Sequence, residues 1–151
     1  MERDQLDAWM EAAVEEAQAA ATRGEVPVGA VVVLDGKIVG RAGNRTESDD
    51  DPSAHAEILA LRDAGQAIGD WRIENATMIV TLEPCPMCLG AIVNARVRQL
   101  VYGAGDPRLG ACGSAIPLPG TEHAPHLREV RHATHPECGE LLRDFFRARR
   151  S

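Results

Sequence analysis

Cys85 and Cys88 stand three residues apart in the stretch Thr81-Leu82-Glu83-Pro84-Cys85-Pro86-Met87-Cys88, and His55-Ala56-Glu57 lies upstream of it. A short helix starting near Pro86 places both sulfurs on one side of its first turn. Proline suits a helix start because its missing N–H is not needed there. The positive end of the helix dipole helps to hold both sulfurs as thiolates. Together with the imidazole of His55 they make a Cys2His set of three protein ligands. Such a set leaves the fourth position of a tetrahedral zinc for water, as catalytic rather than structural sites do. By itself the Cys-x-x-Cys pair reads equally as a redox motif or as two ordinary buried thiols, with His55 packed in the core.

The combination is more specific than its parts. His-x-Glu followed downstream by Pro-Cys-x-x-Cys matches the signature of zinc-dependent nucleobase deaminases. In that signature His55, Cys85 and Cys88 hold one zinc ion per chain, and Glu57 is a proton shuttle rather than a ligand. Helical periodicity does not by itself bring Glu57 to the metal, because residues two apart on an ideal helix point about 200° apart. Its role rests on the signature and on resemblance, and a solvent-facing glutamate is the alternative.

A chain of 151 residues reads as one domain, residues 1–151, and buries about 70% of its unfolded surface. Apolar content of 44% and charged content of 26% are those of a soluble globular protein, while aromatics at 3% leave the core to aliphatic side chains. No run of about 18 apolar residues exists, so no membrane span is expected. The N-terminal Met1-Glu2-Arg3-Asp4 lacks the layout of a signal peptide, and four cysteines, two of them assigned to metal, fit a reducing compartment. A cytoplasmic protein is expected. The net charge of −7 is unevenly distributed, with 7 basic against 17 acidic residues over 1–90 and 9 against 6 over 91–151. The basic end, with Arg143, Arg147, Arg149 and Arg150, suits either local contact with phosphates or a solvated helix terminus whose cations favour the dipole.

Residues 4–22 carry a helical pattern (Leu6, Trp9, Met10, Ala13, Val14, Ala17) that Gly24 ends. Val28–Leu34 and Ile38-Val39, joined across Asp35-Gly36-Lys37, form a hairpin. Gly29 within the first run signals close approach of a ligand or a second backbone. A helix is expected to open at Asp51-Pro52-Ser53 and stop at Gly65, with His55 in its first turn. Ala76–Leu82 is a third strand, Met87–Ala95 a helix and Leu100–Tyr102 a fourth strand. Leu127–His132 is a possible last strand. Glu137–Arg150 is the final helix, with Leu141, Leu142, Phe145 and Phe146 inward. Apolar strands alternating with helices imply a sheet covered on both faces. The segment from Gly103 to Ser114 is rich in glycine but does not match a phosphate loop. His123, His126, His132 and His135 fit no second metal site and read as surface residues.

Beyond the signature, the sequence resembles the bacterial tRNA-specific adenosine deaminases. The stretches that carry the resemblance are Glu25-Val26-Pro27-Val28-Gly29-Ala30-Val31, Asn44, Asp51-Pro52 before Ala54-His55-Ala56-Glu57, Trp71-Arg72, Thr81-Leu82-Glu83-Pro84-Cys85, Val101-Tyr102-Gly103-Ala104 and the loop Asp106–Ser114. It runs from about residue 6 to 115 and resumes at Glu137-Cys138 through Arg147. It implies an α/β protein with the three-layer α/β/α cytidine deaminase-like fold, a central mixed sheet of about five strands with helices on both faces. It also implies hydrolytic deamination of adenosine to inosine at the wobble position of a tRNA anticodon. Asn44 would contact the target nucleoside, Val28 and Ala56 would line its pocket, and Asp106 would lie beside the flanking nucleotides. The family's proteins are homodimers, and RNA contacts would come from Arg108, Arg147, Arg149 and Arg150. Arg108 stands where the family's loop usually has lysine, Cys112 replaces a common alanine, and Pro125-His126 and Ala133-Thr134-His135-Pro136 depart from the family's pattern.

In the chemistry that the resemblance implies, Glu57 takes a proton from water and passes it to the ring nitrogen, hydroxide attacks C6 of adenine to give a tetrahedral intermediate, and Glu57 then protonates the leaving ammonia. Two other readings are open from the residues. Pro84-Cys85-Pro86-Met87-Cys88-Leu89-Gly90-Ala91 also looks like guanine deaminases, which suggests a small-molecule base or nucleoside deaminase. A non-catalytic zinc module is the other, and Glu57 argues against it, since a structural site has no use for a proton shuttle.

Overall fold

The computed structural model describes residues 2–122 and 124–150, the side chain of Arg150 excepted. Helix α1 spans Arg3–Thr22, followed by strands β1 (Gly29–Leu34) and β2 (Lys37–Gly43), helix α2 (Ala56–Ile68) and strand β3 (Thr77–Val80). Helix α3 (Pro86–Asn94), strands β4 (Gln99–Tyr102) and β5 (Glu129–His132) and helix α4 (Pro136–Arg150) complete the chain. The five strands form one mixed sheet in the order β2-β1-β3-β4-β5. β1 is antiparallel to both β2 and β3, while β3, β4 and β5 run parallel. The architecture is the three-layer α/β/α expected.

Alternation along β1 explains the layers. Ala30 and Val32 point into a core completed by Met78, Leu100, Ile92 and Leu89 beneath α2 and α3. Val31 and Val33 point the other way, onto Ile79, Val101 and the α1 residues Leu6, Met10 and Ala13. With both faces covered, the strand reads as an unbroken apolar run. The hairpin turn uses Asp35 and Gly36 at φ 52° and 75°, the left-handed pair that matches strand twist. Gly29 marks close approach of a second backbone rather than a ligand. A Cβ there would sit 2.6 Å from the Ala17 amide nitrogen and against the Ala13 carbonyl oxygen, so α1 seats directly on β1.

Three expectations need correction. The second helix does not open at Asp51-Pro52-Ser53. Asp51 folds back to accept the backbone N–H and hydroxyl of Ser53, and the helix starts at Ala56 with His55 as its N-cap. It also runs through Gly65 and stops at Gly69, whose φ of 74° suits a C-terminal cap. In the last helix, Leu141, Leu142 and Phe145 are half-buried but Phe146 is 44% exposed. Among the histidines, His126 and His132 are exposed, His132 stacking on Tyr102, whereas the half-buried His135 meets Glu11 of α1 at 2.9 Å. His123 lies outside the described residues. No described helix is long and apolar enough to cross a membrane.

Candidate functional site

Two helix starts meet at the site. His55 is the N-cap of α2 and Cys85 the N-cap of α3, both in extended conformation (φ −76°, ψ 152° and φ −74°, ψ 171°), with Pro86 in the first turn of α3. This resolves the difficulty of His55 and Glu57. A cap residue is not on the helical wheel, so His55 projects from extended backbone while Glu57 projects from the first turn, and both line one cleft. Asn44 holds the start of α2 in place: its Oδ1 accepts the N–H of Ala56 at 2.8 Å. The cleft has a volume of about 440 Å³. Its walls include Val28, Asn44, Glu83 and Asp106, with Leu142 and Phe146 from α4.

The donor set fits a zinc ion. His55 Nδ1 lies 3.3 Å from Cys88 Sγ and 3.7 Å from Cys85 Sγ, and the three ligand atoms lie within 4.8 Å of one another. Tetrahedral Zn–N and Zn–S bonds of ordinary length place such atoms about 3.5 Å apart. It is the sole group of this kind among the described residues. The electrostatics agree. The bond from Cys88, helped by His55 and opposed by burial, draws Cys85 down to about 4, so a thiolate faces His55. That contact raises His55, with burial opposing and Glu57 adding. Cys88, which donates to Cys85 and is buried beside Glu57, is pushed up and keeps the proton that a metal would displace. Burial lifts Glu57, 4% exposed, to about 7, against its backbone hydrogen bond and the charge of His55. A carboxyl poised near neutrality can both take and return a proton.

Two buried carboxylates hold the walls, and sequence reasoning gave neither a role. Glu83, 2% exposed, accepts the N–H groups of Asp106, Cys112 and Ser114 and the Ser114 hydroxyl. Burial pushes its carboxyl up, but these bonds outweigh it and hold the pKa below the ordinary value. Gly110 is glycine because a Cβ there would lie 2.5 Å from the Asp106 carbonyl oxygen and against the Glu83 carboxylate. The glycine-rich segment therefore wraps a carboxylate, not a phosphate. Glu25, 1% exposed, does the same for the opposite wall through Thr46, Glu47 and Ser48. An acid set among apolar residues beside a turn-rich segment was the available signal.

The other predicted residues fall as follows. Val28 lines the cleft, as do Asp106 and the exposed Arg108. The Asp106 carboxylate accepts the N–H groups of Arg108 and Leu109, which shapes its own turn. Ala56 does not line the cleft; its side chain is fully buried in the core beneath α2. Arg147 and Arg149 lie within the last turns of α4 and not at the cleft. Arg147 pairs with Asp144 at 3.7 Å, and Arg149 donates to the Gly24 carbonyl while its guanidinium covers Phe145. The side chain of Arg150 is outside the described set.

Comparison with known proteins agrees with this geometry. Residues 4–150 match the MafB19-like deaminase family. The tRNA-specific adenosine deaminase of Bacillus subtilis is 46% identical over 97% of this chain and 91% of its own length. The chain belongs to the tRNA-specific adenosine deaminases. A structure from studies of A-to-I editing by tRNA:A34 deaminases superposes on this deaminase with a TM-score of 0.86 and 44% identity, covering 90% of this chain and 99% of the other. Guanine deaminase from Bacillus subtilis superposes with a TM-score of 0.63 at 36% identity, over 70% of this chain and 66% of that one.

Proposed function

We propose that this deaminase converts adenosine to inosine at the wobble position of a tRNA anticodon in the cytoplasm. The observation that carries the proposal is the juxtaposition of Glu57, its carboxyl near neutrality, with the His55–Cys85–Cys88 group at a cleft of nucleoside size. One zinc ion per chain, held by His55, Cys85 and Cys88, would supply a water activated for attack at neutral pH. Glu57 would accept the first proton of the water at its carboxylate and deliver it to the ring nitrogen, then take the second from the hydroxyl left on C6 and give it to the departing amino group, which leaves as ammonia. Asn44 has committed its Oδ1 to Ala56, so its amide NH2 is the group left to donate to the nucleoside. Val26, Val28 and Leu82 give the base an apolar wall. The exposed Phe146 and Arg108 at the cleft offer a stacking face and a cation to neighbouring nucleotides, as a base splayed from a single-stranded loop requires.

A second copy of the chain completes the proposal. A groove of about 840 Å³ runs over α2 and α3, lined by Ile58, Leu61, Ala91 and Ala95 with Trp71, which is 59% exposed. Its one carboxylate, Asp70, is paired with Arg72, and the apolar residues along the groove suit the homodimer implied by family resemblance.

The deciding experiment incubates purified protein with an anticodon stem-loop carrying adenosine at the wobble position, and in parallel with free guanine, cytosine and adenosine. Inosine in the stem-loop, formed ~10² or more times slower with Glu57→Ala, supports the reading. Turnover of free guanine with no inosine in the RNA would replace it with the small-molecule reading.

A further inference from the structure

At the end of the sheet opposite the cleft, three turns lead into the parallel strands: residues 74–76 before β3, 96–98 before β4 and 126–128 before β5. They are laced together by backbone hydrogen bonds, with Arg98 and Gln99 donating to the Ala76 carbonyl and Arg128 and Glu129 to the Arg98 carbonyl. Their side chains Asn75, Arg96, Arg98, His126 and Arg128 surround a concavity of about 450 Å³, with Glu74 the one carboxylate. Among the described residues none of the three arginines forms an ion pair. Elsewhere among the described residues Arg41, Arg45, Arg72, Arg131 and Arg147 are paired, while Arg3, Arg23, Arg62, Arg108, Arg143 and Arg149 are dispersed cations without an ion pair. Arg96 packs instead over the Trp71 ring, 5.5 Å from its centroid.

The backbone supplies an independent observation. Helix α3 ends in a Schellman arrangement, Arg96 N–H to the Val93 carbonyl and Val97 N–H to the Ile92 carbonyl. Helix α1 ends the same way, Gly24 N–H to Ala21 and Glu25 N–H to Ala20. The left-handed slot holds glycine in α1 (Gly24, φ 81°) and arginine in α3 (Arg96, φ 69°). Asn75, across the concavity, is also left-handed at φ 67°. Of the four non-glycine residues with positive φ among the described residues, two line this one concavity. Asparagine tolerates that region, but an arginine there is strained, and such strain concentrates where the side chain has a task.

We infer that Arg96, Arg98 and Arg128 form a second RNA-binding surface, which takes backbone phosphates of the substrate tRNA outside its anticodon stem-loop. A concave array of unpaired guanidiniums on a rigid frame matches phosphate chemistry, since each presents its donors in a planar fork. The surface lies away from the reacting atoms, so it acts on affinity and leaves the chemical step alone. The inference rests on the proposed function only for the identity of the RNA.

The test measures binding of a full-length tRNA transcript and of the isolated anticodon stem-loop against salt, for the parent protein and for Arg96→Gln/Arg98→Gln/Arg128→Gln. Removing three phosphate contacts should flatten the log–log salt slope for full-length tRNA by about 2–3 and weaken binding about tenfold or more at moderate salt. Binding and deamination of the stem-loop should be unchanged. Arg98→Gln/Arg128→Gln, both exposed, keeps the test valid if the triple variant folds poorly. Arg96→Gly separates function from structure, because it relieves the left-handed strain: full-length tRNA should bind more weakly with no fall in thermal stability. Unchanged affinity and slope for full-length tRNA overturn the inference, and so does an equal loss for both RNAs. If neither RNA is deaminated by the parent, the proposed function fails, while the difference in tRNA binding still decides the surface.

Discussion

Replacing Glu83 with glutamine leaves shape and volume almost unchanged and removes half of an acceptor. Oε1 takes the Asp106 N–H and the Ser114 hydroxyl, and Oε2 takes the N–H groups of Cys112 and Ser114. Glutamine keeps one carbonyl oxygen and turns the other into an NH2 that faces two donors. Two hydrogen bonds to a charged acceptor are lost, at about 1.5 kcal/mol each on the low side of the range, giving about 3 kcal/mol for opening of the wall. At 1.4 kcal/mol per factor of ten, the amides of Asp106, Cys112 and Ser114 should exchange with solvent roughly a hundredfold faster. Native-state hydrogen exchange reads this directly, with zinc content as the control that Cys85, two residues away, still ligates. Because Asp106 and Arg108 ride on the same wall, KM for RNA should rise more than kcat falls. Protection unchanged within threefold would refute the claim that this carboxylate holds the wall.

Three further outcomes are expected. Gly29→Ala should destabilise the fold by about 3 kcal/mol in urea, since its Cβ meets the α1 backbone, whereas Gly90→Ala, with nothing within 4 Å, should be neutral or stabilising by up to ~1 kcal/mol; equal midpoints would disprove the close packing. Burial pushes the Glu25 carboxyl up, but its bonds to Ser48, Glu47 and Thr46 outweigh that and lower its pKa. The stability it contributes is therefore present above the unfolded carboxylate pKa of about 4.3 and lost as pH falls through the lower folded value, so the gap in stability between parent and Glu25→Gln should close in acid. Metal analysis should show zinc lost in Cys85→Ala and kept in Cys112→Ala, whose half-buried thiol is pushed up to about 12 by burial and nearby Glu83 and Glu57; equal loss in both would sink the ligand set.

Local chemistry carried most of what the sequence determined. Asp35-Gly36 forces a hairpin because few other pairs accept its left-handed backbone, and Pro86 with Cys85 before it sets a helix start. The alternation of apolar runs and amphipathic segments required strands covered on both faces, and the spacing of His55, Glu57, Cys85 and Cys88 announced a metal with an acid–base partner. Apart from the 30 residues between His55 and Cys85, which a recognisable signature bridges, these depend on residues close together in the chain. What the tertiary structure decided depends on residues far apart. That His55 caps α2 rather than lying within it is settled by Asn44, whose side chain takes the Ala56 N–H from another element. The burial of Glu83 is made tolerable only by donors 23 to 31 residues away, so no window of sequence around it reveals its role. Phe146 fits the apolar stripe of α4 in periodicity, yet the face that it shares with Leu142 lies against the cleft. Arg96, Arg98 and Arg128 are scattered charges in the sequence and become one concavity because three parallel strands begin side by side.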